Sequence, residues 1–134
     1  MSGSGEVPEP PRPSRFGPIT LTDVVRYQGA SGDLTAVHHD DAIARGNGYP
    51  GVFVPGLLSA GLLGDWLTGW LGVGTLRRFG VRFREQVWLG DVLECNGAVA
   101  QVVVVDGTTR IEVDLSCLRS GTVVTKGWAT VVLP

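Results

Sequence analysis

Two cysteines, two histidines and a charged fraction of only 18% leave this 134-residue chain few reactive groups. Each scarcity excludes something. Cys95 and Cys117 are too few for a secreted disulfide framework. A net charge of −2 argues against a general nucleic-acid binder. The stretch from Met1 to Ser14 has no basic n-region and no apolar h-region, so it does not read as a signal peptide. A membrane span wants about 20 clean apolar residues. The most apolar stretch, Pro55 to Leu71, is interrupted by four glycines and Asp65. There is no internal repeat. The expectation is a cytoplasmic protein that binds neither nucleic acid nor membrane.

What is present is a globular body. Hydrophobic residues make up 43% of the chain. A single domain of this length buries roughly two-thirds of its unfolded surface. The Pro/Gly/Ser-rich start predicts a disordered leader over residues 1–15, followed by one domain over 16–134.

Pro18 to Leu21 reads as a short extended segment. Thr22 is the candidate N-cap of a brief helix, with Asp23 in its first turn, stopping near Gly29 to Gly32. Asp40 or Asp41 can cap a second short helix through Arg45. Pro55 opens a long helix to Leu71, apolar nearly all round and therefore buried, whose glycines would let another backbone approach. From Leu76 the period becomes two: Phe79, Val81 and Phe83 share one face, Arg78, Arg82 and Arg84 the other. Strands over Val92–Val105 and Thr108–Leu118 flank the hairpin signal Asp106-Gly107. Ser120-Gly121 turns the chain into a last strand, Val123–Leu133. The fold class is α+β: four antiparallel strands curled around one long helix. The hairpin places Cys95 opposite Leu118, so Cys117 should point to the other face, and a disulfide is not expected.

The chemistry concentrates between Tyr27 and Asp40. Asp33 and His38 sit five residues apart where one helical pattern breaks at Ser31-Gly32-Asp33 and another begins. A carboxylate and an imidazole on one turn can hold a water, take its proton and deliver a proton elsewhere. Alone, Asp33 reads as a cap and His38 as a satisfied core histidine. Together, behind Ser31-Gly32, they read as catalytic. His39 with Asp40 and Asp41 does not make a metal site, because adjacent side chains diverge and a site needs three or four converging ligands. His39 reads as structural or surface.

These residues resemble the MaoC-like (R)-specific enoyl-CoA hydratases, a family with the hotdog fold, a sheet wrapped around a long helix. Ser31, Gly32, Asp33, Val37 and His38 match its motif, and Thr35-Ala36 stands where Asn-Pro is usual. The stretch Phe83 to Asp91, ending Leu-Gly-Asp, is also similar, with Gln86 where Pro is common. Pro55-Gly56 replaces the family's His-Gly at the start of the long helix. Val37-His38-His39-Asp40, Val52-Phe53-Val54, Gly61-Leu62 and Thr68-Gly69-Trp70 resemble the small subunits of steroid side-chain hydratases, which act with a second MaoC-like chain.

The resemblance implies hydration of a trans-2-enoyl-CoA to a 3-hydroxyacyl-CoA, with Asp33 and His38 activating the water. It implies that the Gly56 N–H, at the positive end of the long helix, polarises the thioester carbonyl; the plainer reading is a glycine needed for packing. Ser31, Arg82 and Arg84 are the substrate-binding candidates, the arginines through CoA phosphates, although such arginines are often only the solvated face of a strand. No metal or redox cofactor is implied. The expected assembly is a homodimer, or a heteromer with a second MaoC-like chain. Two other functions fit the same residues: a hotdog acyl-CoA thioesterase, or a non-catalytic subunit.

Overall fold

A computed structural model describes residues 6–134. Three helices precede most of the sheet: α1 (Leu21–Ser31), α2 (Asp41–Gly46) and α3 (Gly56–Leu71). The strands are β1 (Ser14–Phe16), β2 (Leu76–Phe83), β3 (Leu93–Val105), β4 (Thr108–Arg119) and β5 (Thr122–Leu133). They form one antiparallel sheet in the order β1-β3-β4-β5-β2. α3 packs against β2, β3, β4 and β5, which is the hotdog arrangement. Among the described residues no helix is long and apolar enough to cross a membrane.

Alternation decides which strand residues meet the helix. Val113, Leu115 and Cys117 of β4 and Ala129 and Val131 of β5 are buried with Leu63, Trp66 and Leu67 of α3. Fully burying a leucine contributes about 1.5–3 kcal/mol, so Leu63 and Leu67 are principal anchors. The close approach comes from the sheet rather than from the helix. A Cβ on Gly97 would lie 2.8 Å from the Trp66 ring, and one on Gly127 3.4 Å from Leu63. Gly61, Gly64 and Gly69 of α3 have nothing within 4 Å of an added Cβ, contrary to the expectation that the helix glycines admit a neighbouring backbone.

The disordered leader expected to residue 15 fails within the described residues. Indole N–H groups need acceptors when an aromatic face is covered. Trp66 donates to the Arg12 carbonyl at 3.1 Å and Trp70 to the Pro8 carbonyl at 2.9 Å. Ser14–Phe16 then adds a fifth strand, pairing with Leu93–Cys95. Residues 1–5 of that leader lie outside the described residues.

Two local readings also shift. The N-cap of α1 is Thr20, not Thr22. Thr20 Oγ1 accepts from the Asp23 N–H at 3.1 Å while the Asp23 carboxylate accepts from the Thr20 N–H at 2.9 Å, a capping box that Thr22 is too far along to make. The β3–β4 register slips by one between Val99 and Gln101. That bulge pairs Cys95 with Cys117 rather than with Leu118 and puts both thiols in the core. They are free thiols, and the hydrogen bond with the Cys95 thiol together with burial holds Cys117 well above the ordinary thiol range.

Candidate active site

α1 ends because Gly32 takes a left-handed conformation (φ 78°) and donates its N–H back to the Gln28 carbonyl at 2.9 Å. The reversal turns the next residues back along the helix. Asp33 donates its N–H to Ser31 Oγ at 3.2 Å. Asp33 Oδ1 accepts from the Thr35 hydroxyl at 2.6 Å and from the Thr35 N–H at 3.2 Å. Those two bonds, the hydroxyl first, hold the Asp33 carboxyl below the usual carboxylate range, with a smaller pull from His38.

His38 ends a single 3-10 turn (Ala36–His38) and is buried. Its Nδ1 lies 2.7 Å from the Phe53 carbonyl oxygen, and its ring meets the Phe53 ring edge-on at 4.7 Å. A carbonyl only accepts, so Nδ1 carries the proton and Nε2 of the neutral ring keeps a lone pair. Nε2 faces Asp33 Oδ2 at 3.9 Å. That gap is too long for a direct hydrogen bond, and one water oxygen can span it.

Gln28 is the residue that the sequence did not single out. It is 2% exposed. Its amide N–H₂ donates to the carbonyls of Asp33 at 3.0 Å and Thr35 at 3.1 Å, and its Oε1 pairs with His39 Nδ1 at 2.9 Å. One side chain thus pins both ends of the Asp33 loop. His39 is a partner of this clamp, consistent with a structural role. Asp41 pairs instead with Arg45, 2.6 Å away.

Phe53 is the second residue missed. It forms an isolated bridge with Trp88, and its ring packs on the Trp88 and Tyr49 rings. Trp88 is fixed in turn: its backbone N–H donates to Asp91 Oδ2 at 2.8 Å, and Arg119 Nη1 donates to the same oxygen at 3.0 Å. The Leu89-Gly90-Asp91 segment therefore supports the Phe53–Trp88 bridge that orients His38. Three residues beyond Phe53, Gly56 opens α3, where its N–H has no helical partner. The Phe83 ring covers it, 3.1 Å from where a Cβ would sit. Phe53, Gly56, Ser59 and Phe83 line a cavity of about 190 Å³.

The structure thus gathers Asp33, His38, Ser31 and, through Phe53, Gly56. Ser31 orients the Asp33 backbone. Arg82 and Arg84 make no hydrogen bond or ion pair with this group; both are exposed, Arg82 on the outer face of β2 and Arg84 just beyond its end. A profile of the MaoC like domain matches residues 4–119. The chain belongs to the MaoC-like domain family.

Solved MaoC-like structures share the fold along nearly the whole chain. An (R)-hydratase from A. caviae involved in PHA biosynthesis is 23% identical with a TM-score of 0.79, over 98% of this chain and 99% of that one. R-hydratase PhaJ1 from Pseudomonas aeruginosa is 25% identical with a TM-score of 0.79, over 96% and 82%. The ChsH1–ChsH2 complex from Mycobacterium tuberculosis contains a chain 22% identical with a TM-score of 0.77, over 96% and 94%. A comparison with curated proteins finds no match. In this MaoC-like chain Thr35 fills, with its hydroxyl on Asp33, the place where the resemblance led us to expect Asn.

Proposed function

We propose that this chain catalyses reversible addition of water to a trans-2-enoyl-CoA, giving a 3-hydroxyacyl-CoA. The observation that carries the reading is the Asp33–His38 pair, 3.9 Å apart, with the His38 lone pair turned toward the carboxylate. A water between them offers one proton to each. As its oxygen bonds to C3, His38 Nε2 takes one proton and Asp33 steadies the imidazolium. The imidazolium then gives the proton to C2, so the pair ends as it began. The addition balances with no redox carrier. Charge that gathers on the thioester oxygen would be met by the Gly56 N–H at the positive end of α3.

The active unit in this reading holds more than one chain. Pockets for drug-sized ligands measure roughly 300–1,000 Å³, and the cavity at Gly56 offers about 190 Å³. β1 pairs only with Leu93–Cys95, so β3 from Asn96 to Val105 has no strand on that side among the described residues. Such an edge invites pairing with another chain. A homodimer is the default, and a second MaoC-like chain the alternative; a bulky, steroid-like acyl group would favour the latter. Ser31 in this scheme holds the loop while the partner completes the acyl pocket.

Loss of the enoyl thioester absorbance with a mass gain of one water tests the reaction. Free CoA thiol in its place would establish a thioesterase. Light scattering after size exclusion, with and without a co-expressed MaoC-like chain, tests the assembly, and a fully active monomer would refute it.

A further inference from the structure

Two hydroxyls are buried between the first turn of α3 and the sheet. Ser59 is 2% exposed and Thr125 1%. Ser59 donates to the Gly56 carbonyl at 2.8 Å, and its Oγ lies 2.8 Å from Thr125 Oγ1. A serine hydroxyl has one proton. Spent on the carbonyl, it leaves Thr125 as the donor between the two. The bonds therefore run one way, from Thr125 on β5 through Ser59 to the Gly56 carbonyl. Packing does not call for them. Gly127, Ala129 and Val131, the next buried positions along this face of β5, are apolar, and an alanine–valine pair of nearly the same shape would cost the core little. What the bonds fix is the start of α3. No side chain caps that end: Pro55 stands at the cap position without a side-chain bond. Thr125 is also the cross-strand partner of Phe83, whose ring covers Gly56. One pair of strand residues thus holds Gly56 from two sides, Phe83 at its α-carbon and Thr125, through Ser59, at its carbonyl.

We propose that Ser59 and Thr125 are positioning residues for the reaction: their hydroxyls aim the Gly56 N–H at the oxygen of the thioester carbonyl. The inference rests on the hydratase reading above, which gives that N–H its task. A donor stabilises developing charge only if it already points where the charge will gather. Each hydroxyl acts through Gly56 and neither exchanges a proton with the substrate. The charge on the oxygen grows toward the transition state, so loss of aim lowers kcat more than it raises KM. Removing either hydroxyl unties the helix from the sheet at this point, so the two losses should not add.

The test uses the full chain in its native assembly and compares Ser59→Ala, Thr125→Val and the double variant with wild type. Loss of a whole oxyanion donor costs about 10²–10³ in kcat, so a misaimed one should cost about tenfold. Each single variant and the double should show that same loss, with KM within about twofold. Thr125→Ser keeps the hydroxyl and should recover most of the rate. Thr130→Val, which removes a hydroxyl bonded to Glu112 on the outer face of the same strand, should change nothing. The urea midpoint of the double variant should stay near wild type, because both partners of the bond are gone. Two spectroscopic readouts separate aim from fold. An enoyl-CoA labelled with carbon-13 at the thioester carbonyl, bound to Asp33→Asn protein, should show a lowered carbonyl stretch that returns toward the free value when either hydroxyl is removed. Without any substrate, the NMR order parameter of the Gly56 amide should be near the rigid value of about 0.85 and fall in Ser59→Ala and Thr125→Val. Rates that follow the urea midpoints, a carbonyl band indifferent to both hydroxyls, or wild-type kcat in the double variant would overturn the inference. If wild type hydrates no enoyl thioester, the hydratase reading fails, and the Gly56 amide then decides the positioning: order that depends on the two hydroxyls upholds it, and order indifferent to them refutes it.

Discussion

Replacing Gln28 with leucine keeps the volume of a buried side chain and removes three hydrogen bonds at once. The amide donors to the Asp33 and Thr35 carbonyls and the Oε1 partner of His39 all disappear. A net hydrogen bond contributes about 1 kcal/mol, and a buried group left unpaired costs about 1–3 kcal/mol. Gln28→Leu should therefore destabilise the fold by about 3 kcal/mol, a large share of the 5–15 kcal/mol typical of a domain. In urea the midpoint should fall by about 1–3 M, at slopes of roughly 1–3 kcal/mol/M. The loop that carries Asp33 is then free to shift, and a misplacement of about 1 Å costs on the order of a hundredfold in rate. Gln28→Glu separates the two roles. It can keep an acceptor for His39 but has no donor for the two carbonyls, so turnover should fall nearly as far as with leucine. Wild-type turnover in Gln28→Glu at neutral pH, or an unmoved urea midpoint in Gln28→Leu, would refute the clamp.

Asp33→Asn and His38→Ala should each reduce hydration by about a hundredfold or more with circular dichroism unchanged, and His39→Ala, which removes one bond of the clamp, should be far milder; equal losses from His38 and His39 would show that the wrong imidazole is assigned. Thr35→Val should move the acidic limb of the kcat/KM profile to higher pH, because it removes the bond that chiefly lowers the Asp33 pKa. The folded pKa of Asp33 lies below its unfolded value, so its stabilising contribution is present above the ordinary carboxylate range and is lost as pH falls through the folded pKa. The stability gap between wild type and Thr35→Val should accordingly be full near neutrality and close in acid, as urea melts across pH would show. Gly56→Ala puts a Cβ 3.1 Å from the Phe83 ring, and activity should drop by about tenfold and recover in part with Phe83→Leu. Independent, additive effects in that cycle would remove Phe83 from the account.

The secondary structure was legible wherever a local pattern decided it. The Asp106-Gly107 turn, the period-two strands and the Pro55 start of α3 all stand where neighbouring residues place them. The register was not. The valine run from Val102 to Val105 has no alternation to mark a slip, so the bulge between Val99 and Gln101 was invisible, and the Cys95–Cys117 pairing with it. The N-terminal segment was misread because proline-rich composition resembles disorder. Its carbonyls are nonetheless good acceptors, and Trp66 and Trp70 use them from more than 50 residues away. The glycines were read on the wrong partner: α3 has four, but Gly97 and Gly127 of the sheet admit the helix side chains.

The site divides along the same line. Asp33 and His38 could be found because their relation is a spacing of five residues. Gln28 and Phe53 could not, because each acts through contacts that only the folded backbone creates. Phe53 decides the chemistry most directly, since its carbonyl fixes the proton on Nδ1 of His38 and so leaves Nε2 as the acceptor. That carbonyl is held by the pairing of Phe53 with Trp88, and Trp88 by Asp91 and Arg119. Arg119 is 25% exposed and Asp91 20%, so their ion pair is only partly screened. A motif that resembles its family at Leu89-Gly90-Asp91 thus acts at one remove, through an aromatic strap, on which nitrogen of His38 can take a proton from water.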